Sequence, residues 1–172
     1  GPLPHRVYPG IFAKGKLDPA TQLLLEAIPD PNPNTRVLDY ACGAGVIGAE
    51  LLRREPTIDL MLVDADAVAV VATRENVTDA TVRVEADPFA ISDAAPFDLI
   101  VSNPPIHDGK ARDYRTMQRL IESAARNLNP GAPLWMVTQK QVPVADHLNA
   151  HLAGALCVQS DGRFNVWRAV RS

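Results

Sequence analysis

Short apolar runs alternate along this chain with longer segments whose apolar residues recur at helical spacing, and that alternation confines it to a sheet flanked by helices. Ala20, Leu23, Leu24, Ala27 and Ile28 form one helical stripe, with Asp18 placed to cap it and Pro19 at its first position. The proline-rich stretch from Pro29 to Asn34 stops that helix. Arg36-Val37-Leu38-Asp39 reads as a short buried strand, followed by the glycine-rich turn Cys42-Gly43-Ala44-Gly45 and a helix to about Arg54. Further strands are predicted over 58–63, 81–85, 97–102 and 134–138, and helices over 66–76, 114–128 and 143–153. Residues 155–160 and 163–170, separated by Asp161-Gly162, read as a closing hairpin. The whole predicts a Rossmann-like α/β fold: a mostly parallel seven-stranded sheet, helices on both faces, and a C-terminal antiparallel hairpin.

A chain of 172 residues suits one domain and buries enough surface to need no metal or disulfide. We expect residues 8–172 to be that domain. Gly1-Pro2 without an initiator Met reads as a protease-cleavage scar, so residues 1–7 are expected to be a flexible N-terminus and the chain a piece of a longer protein. Cys42 and Cys157 read as lone buried thiols, which points to a reducing, cytoplasmic setting. No apolar run approaches the ~18 residues that a membrane span needs. The net charge of −3 argues against broad non-specific nucleic-acid binding but leaves room for a local basic patch.

In parallel sheets ligands lie beyond the carboxyl ends of the strands, near the point where strand order reverses. That rule singles out Asp39 to Gly45, Asp64, Asp87 and Asn103 to Lys110. Gly43-Ala44-Gly45-Val46-Ile47-Gly48 matches G-x-G-x-x-G, and with Asp64 it can be read as a dinucleotide fingerprint or as a tight turn that needs glycine for packing. Asp39 argues against a pyrophosphate, since an acid ending the first strand repels an anion and tolerates a cation. S-adenosylmethionine is such a ligand: it carries a sulfonium and an amino group and no phosphate. Asp39-Tyr40-Ala41-Cys42-Gly43-Ala44-Gly45 resembles the first motif of class I S-adenosylmethionine methyltransferases, D-x-G-x-G-x-G. Ala41 replaces the first glycine, a mild change for a backbone with φ below zero.

On that reading Asp39, Ala41, Cys42, Gly43 and Gly45 hold the donor, and Asp64 with Ala65 takes its ribose hydroxyls, one hydrogen bond per carboxylate oxygen. Asp87, with Pro88, accepts from the adenine amine, although an Asp before Pro is also an ordinary turn former.

Ser102-Asn103-Pro104-Pro105-Ile106 follows the fourth strand, and two prolines force the chain rigidly out of the sheet. Asn103 is either a turn-capping residue or chemistry. An amine conjugated to a ring is a poor nucleophile. The Asn103 side-chain oxygen and the Pro104 carbonyl, each accepting one of its N–H groups, would hold the nitrogen nearer to tetrahedral and aim its lone pair, while Pro105 has no N–H to compete. Asn-Pro-Pro plus an aromatic or aliphatic residue resembles the fourth motif of amino-directed methyltransferases. Tyr8-Pro9-Gly10-Ile11-Phe12, Leu17-Asp18, Thr21 to Leu25, Ser102 to Gly109 and Gly162 to Ala169 are similar to the RsmC-type 16S ribosomal RNA guanine-N2 methyltransferases, over about Tyr8 to Arg171. The resemblance implies their catalytic half, and the family's additional N-terminal half is not in this chain. Ile106 stands where the family more often has Phe.

The resemblance implies methyl transfer from S-adenosylmethionine to an exocyclic amine, best read as guanine N2 in 16S ribosomal RNA, with a loop or single-stranded target. Asn103, Pro104 and Pro105 would be catalytic, and Ile106, His107, Lys110 and Arg112 would meet the substrate. His107 beside Asp108 reads as a loop hydrogen bond or a substrate contact before it reads as acid–base machinery. Lys110, Arg112, Arg115 and Arg119, with Lys14 and Lys16, make either a solvated face or a positive rim for phosphates. Trp135 belongs to the core, and Phe164 and Trp167 alternate with Asn165, so one face of the hairpin packs and the other is open to substrate. His147 and His151 share a helix face without a third ligand, so no metal is expected. Alternatives remain: adenine-N6 or protein glutamine methylation, a nicotinamide dinucleotide oxidoreductase, or a cofactor-binding module without activity.

Overall fold

The computed structural model describes residues 17–84, 91, 95–106 and 111–172, of which 70, 72, 82–84 and 111–113 are described by backbone alone. Along the chain run α1 (Pro19–Ala27), β1 (Arg36–Tyr40), α2 (Val46–Arg54), β2 (Asp59–Asp64), α3 (Ala67–Asn76) and β3 (Thr81–Val84). Then come β4 (Leu99–Ser102), α4 (Ala111–Asn127), β5 (Pro133–Gln139), α5 (Ala145–His151), β6 (Ala153–Ser160) and β7 (Phe164–Val170). They form one seven-stranded sheet in the order β3-β2-β1-β4-β5-β7-β6. Strands β1 to β5 pair in parallel, while β7 runs antiparallel to both β5 and β6. The predicted parallel sheet and closing hairpin are both present.

The central strands β1, β2, β4 and β5 are buried on both faces, which is why they read as continuous apolar runs. Leu38, Tyr40, Ile100, Leu134 and Met136 pack with α4 and α5 on one face. Val37, Leu60, Leu62, Val101, Trp135 and Val137 pack with α1 and α2 on the other. Helix α1 begins as its sequence dictates, with the Asp18 carboxylate accepting from the Thr21 N–H at 2.9 Å. Pro29 ends it. Arg54 of α2 closes the frayed end by donating to the carbonyls of Leu25 at 2.7 Å and Ile28 at 3.0 Å. On the opposite face of the sheet the buried Tyr40 hydroxyl meets Ser123 Oγ at 2.6 Å, and Asn127 donates to the Ile91 and Ser123 carbonyls at 3.0 and 2.9 Å. Those bonds fix α4 against β1.

Several boundaries move for local reasons. β4 starts at Leu99 rather than 97, because Phe97 makes only an isolated bridge to Leu128. α4 starts three residues earlier than its apolar stripe, and α5 is trimmed to Ala145–His151 because Ala153 already pairs with Val170 in the hairpin. Cys42 is buried, but Cys157 is exposed on the edge strand β6, which pairs with β7 on one side only. Among the described residues no helix is long and apolar enough to cross a membrane.

Strand register positions the site. Tyr40 pairs with Val63 on one side and Ser102 on the other, and Ser102 pairs with Met136. The residues that follow, namely Ala41, Asp64, Asn103 and Val137, therefore leave the sheet at one level. The reversal of strand order falls between β1 and β4, between the glycine-rich turn and the Asn-Pro-Pro loop.

Candidate active site

A crevice of about 940 Å³ opens over these strand ends, at the upper end of the ~300–1,000 Å³ range of ligand pockets. Ala41, Gly43, Asp64, Ala65 and Asp66 line one side, and Asn103, Pro104, Pro105 and Ile106 line the other. Two segments far apart in sequence thus share one cavity.

The glycine-rich turn is held from several directions. Cys42 N–H donates to the Val63 carbonyl at 3.1 Å, and Gly45 N–H to the Cys42 carbonyl at 2.8 Å. Asp64 reaches across from β2 and accepts from the Gly43 N–H at 2.8 Å, while its other oxygen accepts from the Asp66 N–H at 2.8 Å. Each carboxylate oxygen retains a lone pair for a ligand hydroxyl, so Asp64 both braces the turn and faces the crevice. From α3, Thr73 Oγ1 donates to the Gly43 carbonyl at 2.6 Å and Asn76 Nδ2 to the Ala44 carbonyl at 3.3 Å. No sequence pattern singled out Thr73 or Asn76. Their spacing on one helix face is the only local signal, and the turn they hold is far away in the chain. At Gly45, φ is 79° and a Cβ would lie 2.8 Å from Thr73 Cγ2, so only glycine serves there. At Gly43 a Cβ would meet nothing within 4 Å, which leaves that backbone open toward a ligand.

Two expectations about this turn are corrected. Ala41 has φ of 54°, not a negative value, so it keeps the left-handed backbone of the glycine it replaces and carries the strain of its Cβ. Asp39 does not line the crevice. It is fully buried behind the turn, where one carboxyl oxygen accepts from the Gly48 N–H at 3.2 Å and the other has no partner among the described residues. Burial, reinforced by the nearby charge of Asp64 and opposed by the Gly48 bond, pushes its pKa up to about 8. Asp39 is therefore held neutral at pH 7 and braces the start of α2. The anion-repelling charge expected of it lies instead on Asp64 and Asp66 at the crevice wall. Cys42 and Gly45 likewise sit behind the lining, and burial together with Asp39 and Asp64 pushes the Cys42 thiol far above its ordinary range.

On the other wall, Asn103 Nδ2 donates to Asp18 Oδ2 at 3.0 Å and to Thr21 Oγ1 at 2.9 Å. The Pro104 carbonyl already accepts from the Ile106 N–H at 2.7 Å, so the loop folds back on itself over three residues. Pro105 leaves Pro104 free of one competitor, but Ile106 supplies another; the carbonyl keeps its second lone pair. Ile106 lines the crevice but is largely buried in the same core cluster as α4, an aliphatic side chain with no flat ring to offer a base. Arg115 and Arg119 of α4 line the crevice, as does Phe164, while Trp167 packs on the opposite face of the hairpin. Val137, Thr138 and Gln139 complete the floor and were not anticipated. Asp87, Pro88, His107 and Lys110, with Lys14 and Lys16, lie outside the described residues, as does the side chain of Arg112. Among the described residues, no group of three or more His, Cys, Asp and Glu could hold a metal ion.

The family described as "Methyltransferase small domain" matches residues 5–168, which is nearly the whole chain. The chain belongs to that family. The nicotinamide reading of Gly43 to Gly48 falls with it. The chain is 37% identical to the Ribosomal RNA small subunit methyltransferase C of Stutzerimonas stutzeri, over 99% of its own length and 52% of that protein's. It is 38% identical to the protein of the same name from Escherichia coli, over 96% of its length and 48% of that relative's. A solved structure, "T. Thermophilus 16S rRNA N2 G1207 methyltransferase (RsmC) in complex with AdoMet and Guanosine", superposes with a TM-score of 0.81 at 26% identity, covering 94% of this chain and 45% of that one. The chain thus spans about half the length of the relatives it matches.

Proposed function

We propose that this methyltransferase-family domain transfers a methyl group from S-adenosylmethionine to the N2 amine of a guanine in small-subunit ribosomal RNA. The observation that carries the proposal is the shared crevice. A wall suited to a cationic, phosphate-free cofactor with ribose hydroxyls faces, across one cavity, a rigid loop of oxygen acceptors suited to an amine. The cradle fits S-adenosylmethionine: the Gly43 backbone is open to contact, Asp64 offers acceptors for ribose hydroxyls, and Asp64 with Asp66 favours a cation over a pyrophosphate. When bound, the cofactor supplies an electrophilic methyl group on a sulfonium.

The chain's own residues handle the acceptor. The Asn103 side-chain oxygen and the Pro104 carbonyl each accept one amine N–H, which directs the nitrogen lone pair along the crevice toward the donor wall. The cofactor would supply the methyl group, and the substrate nitrogen, cationic once methylated, would release one N–H proton to solvent. The two oxygens, being partial negative charges, stabilise that developing positive charge. Arg115 and Arg119 supply cations at the rim for backbone phosphates. The names of the relatives and of the superposed structure favour guanine N2 and ribosomal RNA over adenine-N6 or protein glutamine.

Calorimetry with S-adenosylhomocysteine and with NAD, followed by mapping of methylated nucleotides in 16S RNA and intact small subunits, tests this reading. Binding of S-adenosylhomocysteine and a new methyl on a guanine N2 are expected. Binding of NAD alone, or methyl incorporation only into protein, would overturn it.

A further inference from the structure

The orientation of Asn103 is set from outside its own loop, and by a helix that the first motif and the Asn-Pro-Pro motif do not include. An asparagine amide can point either its oxygen or its nitrogen at a given target, and only its partners decide which. Here the two partners of Nδ2, Asp18 Oδ2 and Thr21 Oγ1, both lie on α1, at its cap and one turn inside. A carboxylate can only accept, so a flipped amide would set oxygen against oxygen. The planar geometry of the amide then turns Oδ1 away from α1, and Oδ1 accepts no bond from any described residue. Asn103 and Asp18 both line the crevice, while Thr21 is buried behind them.

We infer that Asp18 and Thr21 are positioning residues for Asn103, two acceptors on α1 that fix its amide so that the oxygen is the atom offered to the substrate amine. The inference rests on the reading of Asn103 as the amine acceptor, and it adds the residues that make that reading geometrically unique. The same Asp18 oxygen also accepts from the Thr21 N–H, so the cap that starts α1 and the clamp on Asn103 are one structure. A disturbance of the start of α1 therefore reaches the acceptor site without touching either ligand.

The test uses the 172-residue protein with three substitutions chosen to spare the fold. Thr21→Val keeps the shape and removes the acceptor; Thr21→Ser keeps the acceptor; Asp18→Ser keeps a competent helix cap but is too short to cap and reach Asn103 together. In ¹⁵N spectra of the wild type, the Asn103 side-chain amide protons should exchange slowly with solvent. In Thr21→Val and Asp18→Ser they should exchange at least ~10-fold faster, with Thr21→Ser near wild type. Methyl transfer to 16S RNA should show kcat reduced ~10- to 100-fold in the first two variants, as misplacement of a reacting group does, with S-adenosylhomocysteine affinity within about 2-fold. Rescue by Thr21→Ser separates positioning from a general loss of fold. Fast exchange of the Asn103 amide in the wild type, or wild-type kcat in both clamp variants, would overturn the inference. An Asn103→Ala variant with full turnover would instead sink the reading of Asn103 while leaving the exchange result to stand or fall by itself.

Discussion

Asp39 offers the sharpest test of the electrostatics beneath the site. Its carboxyl is buried, with one oxygen on the Gly48 N–H and the other without a partner among the described residues, and its pKa is raised from 3.8 to about 8. The sign follows from proton counting. Below the unfolded value both states are protonated and the group costs nothing. Between 3.8 and 8 the unfolded chain loses the proton while the folded one keeps it, so stability falls as pH rises, and above 8 the loss is complete. At ~1.4 kcal/mol per unit, the three units from pH 4 to pH 7 remove roughly 4 kcal/mol. Asp39→Asn keeps an oxygen for Gly48 but cannot ionise, and its extra buried N–H costs about 1–3 kcal/mol at every pH. The wild type should be the more stable at pH 4 and the variant the more stable at pH 7. In urea titrations followed by Trp135 and Trp167 fluorescence, the gap between their midpoints should shift by about 2 M across that range, for an m-value near 2 kcal/mol/M. Comparing the two proteins cancels the titration of every other carboxylate. Parallel stability curves from pH 4 to pH 7 would refute the argument, because they would mean Asp39 ionises as easily folded as unfolded.

Gly48→Ala should destabilise by about 2 kcal/mol, a Tm lower by ~4–8 °C in thermal unfolding, because the new Cβ would sit 2.4 Å from Leu62 Cδ2 and 3.1 Å from Leu60 Cδ2. Ala41→Gly should do the reverse, gaining about 0.5–1 kcal/mol in the same measurement, since φ there is 54°. Asp64→Ala should weaken S-adenosylhomocysteine binding ~10- to 100-fold by calorimetry, the loss expected for hydrogen bonds to a charged group. Arg115→Ala should lower RNA affinity and reduce the slope of log K against log salt by about 1 in filter-binding titrations. An unchanged slope would place Arg115 on a solvated face.

The two walls of the site were legible for different reasons. The glycine-rich turn and Asp64 follow strands β1 and β2, and the rule that ligands lie past parallel strand ends needs only their order in the sequence. Asn103 to Pro105 were legible because two prolines after an apolar run leave few backbone options. Asp39 was read as a wall residue, and the structure buries it behind the turn instead. An acid at a strand end looks the same in sequence whether it faces a ligand or the underside of a turn, and only the register that sends it toward Gly48 decides between them. Asp18 was visible as a helix cap from its place before Pro19, but its second bond to Asn103 joins residues 85 apart.

Periodicity, caps and breakers act within a few residues, so the sequence alone determined which segments are helices, which are strands, and that the strands run mostly parallel. The tertiary structure decided what those segments say to each other: Ala41 held at positive φ, Asp39 driven neutral by burial, Thr73 and Asn76 bracing a turn from another helix, and α1 choosing which atom of Asn103 faces the crevice. Each of these depends on the relative placement of groups distant along the chain. Local propensity carries no information about that placement, because it is fixed only when the sheet closes and its two faces are packed.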